Sequence, residues 1–215
     1  MTDTYKAPTS TLEEAEYELR AKIGAIWTGG RLLIGMYTFL VASLVFAYFY
    51  LRSSNNDGLW RPHHVTAPVP YGWAIAICMG LTSLLAIFGQ SRFRRGGTND
   101  WQVAGWTGVA TGLLALFLQC WELTRLGFFP GSSGYASTFI GFSVINIMTI
   151  VFSTYWLETT LARALRLRTE QGGERPELSS TPAARALRAD IASMTYFQGF
   201  LVLVVALTFS MFYLM

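Results

Sequence analysis

Charge is scarce in this sequence. Asp, Glu, Lys and Arg make up only 13% of its 215 residues, where soluble domains carry roughly 25%. Scarcer still are the side chains that hold metals, with two histidines and two cysteines in all. The histidines, His63 and His64, are neighbours in a polar stretch between apolar runs. No apolar run therefore offers the imidazole that a membrane haem takes as an axial ligand. Without a third ligand near them, the two hold a metal only loosely, and there is no Cys/His set for zinc or copper. Cys78 and Cys120 fall inside apolar runs with no Cys-x-x-Cys partner, so both are expected to be buried structural thiols. No Gly-rich phosphate loop, nucleophile–base pair or internal repeat is evident. Asp and Glu are missing from the centre of every apolar run, and Glu122 and Glu158 stand at run ends. The mid-membrane carboxylates expected of a proton pump or ion-coupled transporter are thus lacking. By itself the chain is not expected to do redox chemistry or pumping.

Apolar residues are what the sequence has in plenty, 52% of the total, with 15% aromatic. Five uncharged runs, 32–51, 65–91, 101–121, 126–157 and 191–215, are each long enough for a membrane span, which takes about 20 helical residues. In lipid the backbone must satisfy its own hydrogen bonds, so the runs read as helices. The expected fold is an all-α integral membrane bundle of five transmembrane helices, with spans at about 31–51, 71–90, 101–122, 136–160 and 191–213, following an N-terminal segment 1–30. Of the 16 basic residues, 13 fall on one side of such a bundle, leaving Arg52, Arg61 and Arg125 on the other. The positive-inside rule then sets the orientation as N-in, C-out. The net charge of +3 is accordingly a topology signal and not a nucleic-acid footprint.

Residues 1–10 read as a polar, disordered start, and Ser10-x-x-Glu13 and Thr11-x-x-Glu14 both fit a capping box. Leu12, Ala15, Leu19, Ile23 and Ile26 recur at helical spacing among acidic residues, an amphipathic pattern suited to the cytoplasmic interface or a partner subunit. This acidic stretch precedes the first apolar run, so no cleavable signal peptide is expected. Trp27 is placed at headgroup depth, and Gly29-Gly30 is expected to break the helix before the first span. The basic turn 91–97 supplies Arg92, Arg94 and Arg95 as candidates for phospholipid-headgroup contacts. In the third span Gly105, Gly108, Gly112, Ala115, Gln119 and Glu122 share one face at 100° per residue. Gly108-x-x-x-Gly112 is a close-packing signature. Ser143, Asn146, Thr149 and Ser153 share a face of the fourth span. The two helices, joined by a short turn, are expected to pack with these stripes buried in protein and to form interhelical hydrogen bonds worth about 1 kcal/mol or less each. After the fourth helix, 170–182 reads as flexible, and Thr181-Pro182 restarts a helix.

The 101–165 stretch resembles subunit III of the haem–copper terminal oxidases. The residues that carry the resemblance are Phe117-Leu118-Gln119 with Glu122, then Gly134-Tyr135-Ala136-Ser137 and Gly141-Phe142. The run from Ala47 through Tyr48 to Arg52, followed by Trp60-Arg61-Pro62, resembles the end of that family's first helix and its Trp-Pro loop. The helix count, N-in orientation and short loop after the third helix are similar to its five-helix bacterial form. The resemblance implies a non-catalytic accessory subunit in the bacterial inner membrane. Its partners would be the haem-bearing subunit I and other respiratory subunits, with phospholipid bound between its helices. Haem and copper are expected in those partners and no cofactor in this chain. The resemblance fits equally a relative serving a quinol oxidase or a nitric oxide reductase. The chain also departs from the family. The family's membrane glutamate, linked to proton uptake, falls near Tyr37. Its His-x-x-His is Ser143-x-x-Asn146, and its Tyr-Trp-His-Phe-Val-Asp is Tyr196-Phe197-Gln198-Gly199-Phe200-Leu201. Gln119, Glu122, Tyr135, Ser143, Asn146 and Gln198 are therefore expected to pack and hydrogen-bond in the interior. The rival reading is a stand-alone transporter or enzyme using Glu122, His63 and His64.

Overall fold

The computed structural model describes residues 11–55, 59–62, 65–170 and 179–215. The readings made for 1–10, for His63 and His64, and for most of 170–182 lie outside the described residues. Among the described residues there are five α-helices and no strand. They are α1 (Thr11–Ser54), α2 (Val69–Arg94), α3 (Thr98–Thr124), α4 (Gly134–Glu170) and α5 (Pro182–Phe209), the last widening into a π-turn, Ser210–Leu214. All five are long and apolar enough to cross a membrane, as a multi-pass membrane protein requires. At 1.5 Å per residue α1, with 44 residues, is about 66 Å long and overshoots a core of about 30 Å.

Successive helices run in opposite directions. α2 and α3 are joined by the short turn 95–97, where Gly96 takes a φ of +86° that other residues adopt only with strain. Thr181 caps α5 by accepting the Ala184 N–H at 3.4 Å, with Pro182 opening the helix. α3 lies between α2 and α4, while α5 packs on α1, α2 and α4. α1 rests mainly on α5 and α4. Only 11% of its apolar window is buried within the chain, against 44% for α2 and 39% for α3, α4 and α5.

Gly29-Gly30 does not break α1, which continues uninterrupted to Ser54. In place of a break, Gly30 is a point of contact. A Cβ there would stand 2.1 Å from Ser193 Oγ on α5, so the missing side chain lets the two helices meet. Cys120, expected to be buried, is exposed, whereas Cys78 is buried. One residue from Gln119 it is rotated about 100° off the buried face of α3.

The glycine face of α3 meets α4 in an antiparallel register. Cβ atoms built on Gly105, Gly108 and Gly112 would fall 2.5, 3.1 and 2.4 Å from Leu161, Leu157 and Thr154 respectively. Each step along α3 is matched by a step back along α4. The stripe of Ser143, Thr149 and Ser153 is buried as well, but it does not lie opposite the glycines. The column opposite is Thr154, Leu157 and Leu161, one helical face over, and the polar stripe is shared among α1, α3 and α5.

Candidate functional site

One group of interior polar side chains lies toward the end of the bundle that holds the α3–α4 loop. On α3, Gln119 and Glu122 are three residues apart and so lie one above the other on the buried face. Gln119 Nε2 donates to Glu122 Oε2 at 2.8 Å. From α4, Asn146 Nδ2 donates to Gln119 Oε1 at 2.7 Å. From the terminal π-turn, Tyr213 OH donates to Glu122 Oε1 at 2.7 Å. Four side chains on three elements thus form one continuous chain. Glu122 is fully buried and Gln119 is 3% exposed. Among the described residues no cation pairs with Glu122, so neutral donors alone satisfy its carboxyl group.

Tyr213 was not foreseen as a partner. An aromatic residue with a polar tip near a span end reads as part of the interfacial belt, and here it turns inward. Two features place it. Gly72 on α2 makes room, since a Cβ there would meet the Tyr213 ring at 2.4–2.6 Å. The π-turn fixes its phase, closed by Met215 N–H donating to the Ser210 carbonyl and held by two phenols. Tyr48 OH donates to the Met211 carbonyl at 2.7 Å, and Tyr135 OH to the Phe212 carbonyl at 2.8 Å. Carbonyls at a helix end lack partners within the helix, and a buried end needs side chains to supply them. Tyr48 and Tyr135 do that from α1 and α4.

Below this chain lies a cavity of about 50 Å³ whose polar lining includes Tyr37, Gln119, Ser143, Asn146, Thr208 and Tyr213. The volume exceeds the roughly 10–15 Å³ of free space that one water needs. Tyr37 bonds Thr149 on α4 through its hydroxyl. Ser143 donates to its own helix at the Phe139 carbonyl, 2.9 Å away. Gln198 lies deeper, accepting from Ser83 at 3.2 Å and donating to the Ser153 carbonyl at 3.4 Å. It does not join the Glu122 chain.

The three arginines after α2 have separate surroundings. Arg92 approaches Asp100 at 3.6 Å and stacks over Phe88. Arg95 forms the C-cap of α2. Arg94 lines a groove of about 490 Å³ together with Trp27, Gln90, Tyr196 and Phe200. Among the described residues no three His, Cys, Asp or Glu side chains gather as a metal set. The interior arrangement offers hydrogen bonding and room for water. No family model matches this chain, and no curated protein matches it.

Proposed function

We propose that the chain is a non-catalytic accessory subunit of a haem–copper respiratory oxidase, seated N-in and C-out in a bacterial inner membrane. One observation carries the reading. Four of the residues on which the family resemblance rests, Tyr48, Trp60, Glu122 and Tyr135, lie far apart in the chain, yet they come together at one end of the bundle. The Tyr48 and Trp60 rings are 5.0 Å apart, and Trp60 and Tyr135 are 6.1 Å apart. Tyr135 N–H donates to the Trp60 carbonyl at 3.2 Å. The same Tyr135 and Tyr48 hold the π-turn that delivers Tyr213 to Glu122. A set of residues that build one another's positions is what a structural motif requires, and each polar member is used in packing. The groove beside Arg94 supports the lipid part of the proposal. Its lining combines the Arg94 guanidinium and the Gln90 amide with the Trp27, Tyr196 and Phe200 rings, groups that suit an anionic phospholipid. The start of α1, continuous with the first span, would project beyond the cytoplasmic face, where Glu16 reaches Arg185 at 2.9 Å.

The test is gentle detergent extraction through a tag on this chain, with an optical spectrum and mass spectrometry of what co-purifies. Haem bands and a large His-rich subunit are the expected result. A colourless, monodisperse chain without partners would overturn the reading.

A further inference from the structure

Thr154 carries a hydroxyl with nothing to bond. The residue is 6% exposed, and its Oγ1 is buried without a hydrogen-bond partner. Threonines in helices usually escape this by donating to the carbonyl four residues back, as Thr149 and Thr160 do here at 2.8 Å. Thr154 does not. Its Oγ1 is turned toward Gly112, at a spot that a Cβ on that glycine would fill at 2.4 Å. A second cavity, of about 10 Å³, opens at the same place, where Thr82, Ser83, Gly112, Ser153, Thr154 and Gln198 meet.

That volume stands at the lower limit of the roughly 10–15 Å³ of free space that one water needs. A buried water also needs two to four polar partners, and the lining supplies them. Besides Thr154 Oγ1, the Gln198 amide has capacity to spare. Its two bonds, to Ser83 and to the Ser153 carbonyl, are long at 3.2 and 3.4 Å, and an amide has two N–H groups and two lone pairs. Ser153 Oγ likewise makes a long bond, 3.2 Å, to the Ile150 carbonyl. We propose that this junction of α2, α3, α4 and α5 is a binding site for a single structural water, held by Thr154 and Gln198. The water completes the hydroxyl and links α4 to α5 where their direct bonds are longest. Gly112 then has a second use, because its missing side chain leaves room for the guest as well as for Thr154.

The substitution Thr154→Val keeps shape and removes the hydroxyl. If the hydroxyl is stranded, valine relieves it and the full chain becomes more stable. If a water is bound, valine deprives it of a partner, and Tm falls by roughly 2–4 °C, while Thr154→Ser stays near the parent. The unsubstituted chain, with whatever partners it keeps, supplies the direct measurement: a density map that resolves ordered water. Density within hydrogen-bonding distance of both Thr154 Oγ1 and Gln198, with a lower Tm for T154V, is the expected result. Either a rise in Tm for T154V or a water-resolving map without density there would overturn the proposal.

Discussion

A carboxyl group with no exposed surface and no cation beside it depends wholly on neutral donors, and Glu122 has two, Gln119 and Tyr213. If hydrogen bonding is its whole task, Glu122→Gln is tolerated. The new amide accepts from Tyr213, and the Gln119 and Asn146 amides turn over to restore the chain. The expected loss is about 1 kcal/mol or less. Glu122→Leu strands the Gln119 and Tyr213 groups in the interior and costs roughly 1–3 kcal/mol for each. Thermal denaturation in one detergent distinguishes them. Equal damage from both would mean that the charge itself is needed, which a purely structural role does not explain. Gly72 belongs to the same argument. Gly72→Ala pushes the Tyr213 ring aside and takes its hydroxyl off Glu122. Its cost and that of Tyr213→Phe should then overlap. A double-mutant cycle giving simple additivity would place the two substitutions on separate interactions.

Among the helices, close approach outweighs surface charge. α1 and α5 meet near one end through Gly30 and Ser193, and beyond that point Glu16 forms a two-pronged pair with Arg185 at 2.9 and 3.2 Å. Both partners of the pair are 38% exposed, and such pairs contribute about 0–1 kcal/mol. Gly30→Leu, by contrast, wedges the helices apart where Gly30 and Ser193 are both buried. Arg185→Ala should therefore leave Tm nearly unchanged and Gly30→Leu should lower it by several degrees, as circular dichroism would read. The reverse order would mean that the ion pair and not the glycine contact joins the helices. The difference bears on what the sequence discloses. Helical periodicity ties Gly105, Gly108, Gly112, Gln119 and Glu122 to one face without any tertiary information. It says nothing of which face of α4 lies opposite, because that depends on a register set by Thr154, Leu157 and Leu161. Paired glycines read equally as a hinge or a contact, and only the neighbour at Ser193 decides. Tyr213 escaped for a related reason. The π-turn shifts the phase of the last residues, so a face extrapolated from α5 misplaces it.

Taken whole, the molecule is an unevenly held bundle. α2, α3, α4 and α5 enclose one another, while α1, besides the Glu16–Arg185 pair near its start, is fastened chiefly at three places along its length. These are Gly30 against Ser193, Tyr37 to Thr149, and Tyr48 to the Met211 carbonyl. Outside them it presents Leu32, Met36, Phe39 and Phe46 outward. Within a chain, opening free energy follows buried contact, so α1 is the element that should loosen first when lipid or partner is stripped away. The two phenol latches make this testable. Tyr37→Phe and Tyr48→Phe each remove one hydrogen bond and little area, so the bundle of α2–α5 should survive both. Hydrogen–deuterium exchange by mass spectrometry in detergent should show α1 peptides exchanging faster than those of α3 and α5 in the parent chain. The double substitution should widen that gap. The Tyr48 change has a second effect on the same readout, since it also frees the Met211 carbonyl and should speed exchange in the π-turn. The Tyr37 change should leave the π-turn as it was. Uniform acceleration across all five helices would instead mean that α1 unfolds only with the rest, and that its three fastenings are part of one cooperative core.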